Sequence, residues 1–338
     1  MKCLITGAGG FIGGQITRRL LEEGHQVVTY QRGKYPDLLQ LEGTHLQGSI
    51  DQLGPLSDAM KGVDTVFHVA ALAAISGPTD DFHNANVEGT RNIIQACRQN
   101  KVPRLVFTSS PSVVFSGRDQ NGIDESEPYP DSYLADYPRT KAIAESEVLD
   151  ANSSELATIS IRPHLVWGPG DRHLYPRIVE RAKNGKLKLV HRNGMKIDAC
   201  YIDNAVDAHL CAMESLRTNP NCRGKAYFIS NEEPTPPEEL INQFLDCAGI
   251  SPIRPSIPPS LAYAAGWIIE ALYRTPFFSG EPPVTRFVVH QQATSHWFDL
   301  TAAKRDLGWN PKISTAEGLK RLKDYHSGQS SIAESISS

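Results

Sequence analysis

The chain lacks three features that would each indicate a particular class of protein. Its 38 Asp and Glu residues outnumber its 34 Lys and Arg residues, so it has no basic excess suited to nucleic acid. No stretch reaches the ~20 apolar residues of a membrane helix, and the first residues contain no apolar signal-peptide core. Its six cysteines form no Cys-x-x-Cys pair and no zinc-like spacing with histidine. We therefore expect a cytoplasmic protein with reduced, mostly buried thiols, no metal, no transmembrane segment and no nucleic-acid partner.

With 338 residues, the chain exceeds a typical domain of ~100–200 residues, so a large domain with a second lobe is expected. Predicted strands and helices alternate over the first half, which indicates a Rossmann-type, doubly wound parallel sheet in an α/β fold. After Pro163 this alternation stops and Pro-rich segments recur. The predicted divisions are a Rossmann domain at 1–165, rejoined by a segment at about 198–230, a smaller lobe at 166–197 and 231–326, and a flexible tail at 327–338.

Three local predictions concern segments near the expected ligand. A long helix is predicted from about Asn86 to Asn100, and a loop at 167–171. The segment 261–273 is apolar over most of a helix circumference, followed by Phe277-Phe278 and by Phe287-Val288-Val289. That helix is either core or one wall of an apolar slot for a long-chain or polycyclic substrate.

A glycine cluster directly follows the first predicted strand, Lys2–Thr6. Its spacing is Gly7-x-x-Gly10-x-x-Gly13, and a helix begins within it. Glycines allow a tight turn and a close approach to a pyrophosphate, whose charge then lies at the helix amino terminus. The strand before and the helix after it favour nucleotide binding over an ordinary tight loop.

The end of the second predicted strand distinguishes NADP from NAD. An acidic residue there binds the adenosine ribose of NAD, whereas an arginine accommodates the 2′-phosphate of NADP. This chain has Gln31-Arg32 at that place, which favours NADP (NADPH) and leaves NAD possible.

Tyr137 and Lys141 are spaced to lie one turn apart on one helix face, if a helix begins near Asp136. A phenol beside an ammonium can deliver a proton. Tyr30 and Lys34 have the same spacing, but they lie at a strand end and in the loop after it, so they share no helical face. A free tyrosine has a pKa of ~10, and a nearby cation such as Lys141 would stabilise the phenolate.

Thr108-Ser109-Ser110 ends the predicted strand that starts at Arg104, at the edge of the sheet where ligands bind. A serine hydroxyl there can donate a hydrogen bond to a carbonyl oxygen that gains negative charge. Ser110 is therefore a candidate partner of Tyr137.

Six motifs in order resemble the extended short-chain dehydrogenase/reductase family. They are Thr6-Gly7-x-x-Gly10-x-x-Gly13, His68-x-Ala70-Ala71, Asn86-Val87-x-Gly89-Thr90, Ser109-Ser110, Tyr137-x-x-x-Lys141 and Arg162-Pro163. The resemblance implies that Tyr137 donates the proton, that Lys141 lowers the Tyr137 pKa and binds the nicotinamide ribose, that Ser110 orients the carbonyl, and that Asn86 supports the site. It implies cofactor contacts at Gly7, Gly10, Phe11, Ile12, Gly13, Arg32, Ser49, Ile50, Ala70, Lys141 and Pro163.

Leu165 departs from the sugar-nucleotide epimerases and dehydratases of this family, which have an asparagine there. Tyr137-Pro138-Arg139-Thr140-Lys141 and the second lobe instead resemble the 3β-hydroxysteroid dehydrogenase branch. Within it, the chain is similar to the reductases of 2-alkyl-3-oxoalkanoates in bacterial long-chain olefin biosynthesis. The similar segments are Trp167–Asp171, Tyr201–Asn204, Gly224–Asn231 and Gly280–Phe287.

That resemblance implies NADPH-dependent reduction of a long-chain 2-alkyl-3-oxoalkanoate, an apolar small molecule. It also implies a β-lactone synthetase and a decarboxylase as partners, while a homodimer is left open. The alternatives are a 3β-hydroxysteroid dehydrogenase with the same catalytic residues, a nucleotide-sugar epimerase or dehydratase, and an NADP sensor without chemistry.

Overall fold

The computed structural model describes residues 1–74, 76–190, 192–254, 257–273, 282 and 284–337, with side chains up to residue 327. Seven parallel strands form the central sheet, in the order β10-β7-β5-β4-β1-β2-β3. They are β1 Lys2–Thr6, β2 Gln26–Gln31, β3 Thr44–Gln47, β4 Thr65–His68, β5 Arg104–Thr108, β7 Ala157–Pro163 and β10 Lys225–Ile229. This confirms the predicted Rossmann-type α/β fold.

The helices of the first half connect these strands across both faces of the sheet. They are α1 Phe11–Glu22, α2 Pro36–Leu39, α3 Leu53–Ala59, α4 Thr79–Phe82, α5 Gly89–Gln99 and α6 Asp136–Asp150. All strands except the edge strand β3 are mostly buried, as expected for a parallel sheet covered by helices on both faces. The chain crosses from one side of the sheet to the other between β1 and β4, and α/β folds bind ligands at such a crossing.

The remaining elements build the second lobe and return to the sheet. They are β6 Gln120–Ile123, β8 Val166–Trp167, α7 Leu174–Lys183, β9 Cys200–Tyr201, α8 Ile202–Thr218, α9 Pro237–Cys247, α10 Pro259–Tyr273, α11 Arg286–Ala293, β11 His296–Phe298, α12 Thr301–Leu307 and α13 Thr315–Ser337. Two short sheets, β11 with β6 and β8 with β9, complete the lobe. Strand β10 pairs with β7, which places the predicted return to the sheet at 225–229.

Two local predictions need correction. The helix expected from Asn86 begins at Thr79, and its residues His83–Glu88 form a π-helical segment. Part of the expected loop at 167–171 is strand, because Val166 pairs with Cys200 and Trp167 with Tyr201. Helix α13 continues to Ser337 and so includes most of the expected tail, whose flexibility stays a prediction.

The apolar helix α10 buries only one side. Ala262 and Gly266 are buried, and a Cβ added to Gly266 would lie 3.2 Å from Val289 of α11. Leu261, Trp267 and Ile268 on the other side are more than half exposed. Helix α10 is therefore not core around its whole circumference; Phe277 and Phe278 lie outside the described residues.

The described parts of the chain contain no helix that is long and apolar enough to cross a membrane. The same parts contain no group of three or more His, Cys, Asp or Glu side chains placed to hold a metal ion. All six cysteines are free, and five of them are buried, as expected from the sequence.

Candidate active site

The glycine turn lies between β1 and α1 and leaves no room for side chains. Gly7 has φ +72°, and a Cβ on it would lie 2.8 Å from the backbone nitrogen of Ala70. A Cβ on Gly13 would lie 2.4 Å from the carbonyl oxygen of Gly7. The Gly10 N–H donates to that same oxygen at 2.9 Å. Glycine is therefore required at positions 7 and 13 for the turn to pack this closely against the residues after β4 and the start of α1.

The amino terminus of α1 is open towards this turn. Its cap residue, Gly10, offers no side-chain hydrogen bond, and the first turn contains no acidic residue. The N–H groups of the first turn and the positive end of the helix dipole are therefore free for an anion. Phe11, Ile12 and Gly13 line the cleft at this point, which fits the pyrophosphate of a dinucleotide.

A cleft of about 830 Å³ runs along the carboxyl edge of the sheet. The structure places every predicted cofactor residue on its wall: Gly7, Gly10, Phe11, Ile12, Gly13, Arg32, Ser49, Ile50, Ala70, Lys141 and Pro163. Ser110 and Tyr137 line the same cleft, whereas Asn86 does not. The sequence motifs therefore converge on one site; the role of each residue remains a prediction.

Tyr137 and Lys141 lie on helix α6, whose first turn contains Asp136 and Pro138, both favourable there. Lys141 is only 2% exposed. Its Nζ donates to the carbonyl oxygen of Thr108 at 2.7 Å and lies 3.9 Å from the centre of the Phe107 ring. The lysine is therefore fixed against the end of β5.

Burial determines the proton affinities of this pair. It lowers the pKa of Lys141 to about 7, a shift that the carboxylate of Glu145 opposes. Burial also raises the pKa of Tyr137, although a hydrogen bond with Ser110 acts in the opposite direction and lowers it. This is opposite to the predicted lowering, because desolvation destabilises the phenolate and the ammonium alike. The site as described holds a neutral phenol ready to donate a proton.

Ser110 follows β5 and caps a short 3-10 turn, Pro111–Val114. Its Oγ accepts hydrogen bonds from the backbone N–H of Ser112 at 3.2 Å and from Ser112 Oγ at 3.0 Å. The hydroxyl hydrogen of Ser110 therefore remains available for Tyr137 or for a ligand oxygen in the cleft.

Asn86 lies in the π-helical segment, does not line the cleft, and bonds to a residue that forms its wall. Its Oδ1 accepts from the backbone N–H of Leu72 at 2.7 Å, and its Nδ2 donates to Leu72 O at 3.1 Å and to Thr140 Oγ1 at 3.0 Å. It thereby joins a cleft-lining loop to α6, beside Lys141. π-helical turns are frequent at functional sites.

His68 connects Thr6, at the end of β1, to Thr90 in helix α5. One ring nitrogen is 2.8 Å from Thr6 Oγ1, which also accepts from the Ala70 N–H, and the other is 3.0 Å from Thr90 Oγ1. Thr90 donates to the carbonyl oxygen of Asn86 at 2.6 Å. Burial lowers the pKa of His68 to about 3, so this network contains a neutral imidazole.

A buried ion pair lies one turn beyond Lys141. Glu145 is fully buried and accepts hydrogen bonds from Arg162 at 2.6 to 3.1 Å, from Ser160 and from Tyr129. The neighbouring positive charge outweighs burial and holds the pKa of Glu145 below its usual range. This pair joins α6 to β7, whose last residue, Pro163, lines the cleft.

Some residues on the cleft wall were not found from the sequence, among them Tyr35, Asp171, His173 and Leu174. Asp171 accepts hydrogen bonds from the backbone N–H groups of His173, Leu174 and Tyr175 and so caps helix α7. The only sequence signal was the aspartate after Gly168-Pro169-Gly170, a combination typical of a turn before a helix.

Residues 4–257 match the 3-beta hydroxysteroid dehydrogenase/isomerase family. The chain is 46% identical over 327 residues to a 2-alkyl-3-oxoalkanoate reductase of Shewanella oneidensis, covering 94% of this chain and 84% of that protein. It is also 46% identical over 326 residues to the protein of that name in Stenotrophomonas maltophilia, covering 96% and 98%. A sterol-4-alpha-carboxylate 3-dehydrogenase, decarboxylating, of mouse is 31% identical over 331 residues, covering 96% and 91%.

Among solved structures, MoeE5 in complex with UDP-glucose and NAD superimposes with a TM-score of 0.74 at 22% identity, covering 97% of this chain and 99% of that one. This similarity confirms the fold. Sheet, cleft and relatives together define an oxidoreductase of the short-chain dehydrogenase/reductase type. The chain belongs to the 3-beta hydroxysteroid dehydrogenase/isomerase family.

Proposed function

We propose that this enzyme uses NADPH to reduce the ketone of a long-chain 2-alkyl-3-oxoalkanoate to the 3-hydroxy acid. The two bacterial relatives with that name support the substrate class. Site chemistry supports the reaction type, because a half-buried neutral phenol, a serine hydroxyl and a lysine meet in one cleft.

The residues have distinct roles in this reaction. The bound cofactor supplies a hydride to the ketone carbon. Ser110 donates a hydrogen bond to the ketone oxygen, and Tyr137 protonates this oxygen as negative charge develops on it. Lys141, fixed on Thr108, stabilises the phenolate that remains and would bind the nicotinamide ribose. The same groups operate in reverse for alcohol oxidation.

The observation that carries the substrate assignment is a set of apolar side chains on the cleft wall. Leu72, Leu165, Val166 and Leu174 line the same cleft as Ser110 and Tyr137. Leu165 has φ +41°, a left-handed conformation that asparagine tolerates much better than leucine. The chain thus has an apolar side chain on the cleft wall at a position where the backbone conformation favours asparagine. This supports an alkyl substrate over a sugar nucleotide.

The proposed cofactor is NADP, with NAD as the alternative. Arg32 is exposed at the end of β2 and lines the cleft. Within the part of the chain that the structure describes, no carboxylate pairs with its guanidinium. It is therefore available to a 2′-phosphate.

The cellular setting is proposed by analogy with the reductases of olefin biosynthesis. A cytoplasmic enzyme would hand its 3-hydroxy acid to a β-lactone synthetase, followed by a decarboxylase. A homodimer is compatible with this arrangement.

A 3β-hydroxysteroid dehydrogenase activity is the second candidate, favoured by the family match and by the mouse sterol relative. Absorbance of NADPH and NADH should be followed with a 2-alkyl-3-oxo acid and a 3-oxosteroid as substrates. We expect faster oxidation of NADPH with the oxo acid. A preference for the steroid would overturn the proposed substrate, and hydride transfer to neither would favour a sensor.

A further inference from the structure

The aromatic ring of Tyr35 covers the second residue of the glycine turn. A Cβ added to Gly9 would lie 2.1 to 2.4 Å from three ring carbons of Tyr35, which are its three nearest neighbours. Gly33 is also close, since its Cβ would lie 3.1 to 3.2 Å from ring atoms and the hydroxyl of Tyr35. The ring can occupy this place because position 9 is glycine, whereas a Cβ at position 33 would require a small shift of the ring.

Tyr35 is held by both its backbone and its side chain. Its carbonyl oxygen accepts hydrogen bonds from the N–H groups of Leu38 and Leu39, at 3.0 and 3.1 Å, in the first turn of α2. Its side chain packs against the large hydrophobic core. The loop between β2 and α2 is therefore attached to the glycine turn through one aromatic contact.

Arg32 and Gly33 belong to this same loop. Arg32 has one backbone tether, since its carbonyl oxygen accepts a hydrogen bond from Gln47 Nε2 at 2.8 Å. In a Rossmann fold the end of β2 lies at the adenosine ribose, so the placement of Arg32 decides whether a 2′-phosphate is met by a guanidinium. Tyr35 lines the cleft beside Arg32.

We propose that Tyr35 is a positioning residue for cofactor selection: by packing on Gly9 it holds the Arg32–Gly33 loop where Arg32 can bind the 2′-phosphate of NADPH. The proposal rests on the cofactor preference in the proposed function. It adds a second determinant to Arg32 and gives Gly9 a role distinct from Gly7, Gly10 and Gly13, which allow the close approach of the backbone.

The test is a set of calorimetric titrations of NADPH and NADH, which need no substrate and no turnover. Tyr35→Ala should weaken NADPH binding about tenfold and change NADH binding much less, because only NADPH has the phosphate that Arg32 contacts. Gly9→Ala should have the same effect, because its methyl group must displace the ring. Gly54→Ala is the matched control, since a Cβ there has no atom within 4 Å.

A double-mutant cycle separates positioning from a general structural role. In an Arg32→Gln background, Tyr35→Ala should change the ratio of NADPH to NADH affinity no further. Equal weakening of both cofactors, or a loss specific to NADPH that persists without Arg32, would overturn the proposal. The ratio of NADPH to NADH affinity in the unmodified protein tests the NADP preference itself. A failure of that preference is therefore distinguishable from a failure of the role proposed for Tyr35.

Discussion

The Nζ of Lys141 donates a hydrogen bond to the carbonyl oxygen of Thr108 at 2.7 Å. This bond joins helix α6, which carries Tyr137, to the end of strand β5, which continues into Ser110. The bond therefore fixes the helix that carries Tyr137 and Lys141 relative to the strand end that leads to Ser110. Such fixed placement means that little reorganisation is needed when charge develops on a substrate oxygen.

Replacing Tyr137 by phenylalanine should remove the proton donor and leave the cleft nearly unchanged. We expect kcat/KM for ketone reduction to fall about 10²- to 10⁴-fold, the usual contribution of a positioned acid. NADPH affinity should remain nearly intact, which calorimetry can measure. Tyr133→Phe is a suitable control, because that hydroxyl donates only to the Val113 carbonyl oxygen, at 2.9 Å. Substantial turnover in Tyr137→Phe would remove Tyr137 from its role.

The lowered pKa of Lys141 should be visible in the stability of the protein without cofactor. An unfolded lysine has a pKa of ~10.4, whereas burial places that of Lys141 at about 7. Between these values the unfolded chain binds more protons, so stability should rise with pH from about 7 to 10, by at most about 1.4 kcal/mol per pH unit. Below about pH 7 Lys141 is charged in the folded protein, so the full cost of burying its ammonium group lowers the stability.

Lys141→Met keeps a side chain of similar length and removes this titration. Urea unfolding at pH 7 and pH 9 should therefore show that the wild type gains stability relative to Lys141→Met as the pH rises. Titrating groups that do not interact with Lys141 are common to both proteins and cancel in the difference. Parallel pH dependences of the two proteins would contradict the assigned pKa of Lys141.

The sheet and most of the site could be predicted because their signals are local. Apolar runs such as Leu4-Ile5 and Val27-Val28 indicate buried strands, and the glycine spacing follows directly after one of them. Strand order then places Ser110 and Tyr137 at one edge. A position at a strand end also excludes Tyr30 and Lys34 as a pair on one helix face, and the structure confirms that Tyr30 belongs to β2.

Features that depend on distant contacts could not be predicted. Val166-Trp167 becomes a strand only by pairing with Cys200-Tyr201, more than thirty residues later in the sequence. Nothing in the composition of His83–Glu88 indicates a π-helical turn. The direction of the Tyr137 pKa shift required knowledge of its burial, which no spacing contains.

His68 should contribute to acid sensitivity through its neutral hydrogen-bonded ring. Its pKa is about 3 when folded and ~6.5 when unfolded, so stability present above pH 6.5 is lost as the pH falls towards 3. Between pH 7 and pH 5 this single group should cost about 2 kcal/mol. His68→Gln does not titrate, so its unfolding free energy should fall less over this range. The proposed linkage fails if urea titrations give both proteins the same slope.

Leu165→Asn should separate backbone strain from substrate contact. Leu165 has φ +41°, and a left-handed conformation costs a residue such as leucine roughly 1–2 kcal/mol, much of which asparagine avoids. Leu174→Asn makes the same side-chain change on the same cleft wall, but in a right-handed helix. We therefore expect Leu165→Asn to be the more stable variant in urea unfolding, by about 1 kcal/mol. Its kcat/KM for an alkyl ketone should nevertheless fall about tenfold, because an amide replaces an apolar contact in the cleft. If Leu165→Asn instead kept full activity with the alkyl ketone, Leu165 would have no part in selecting an apolar substrate.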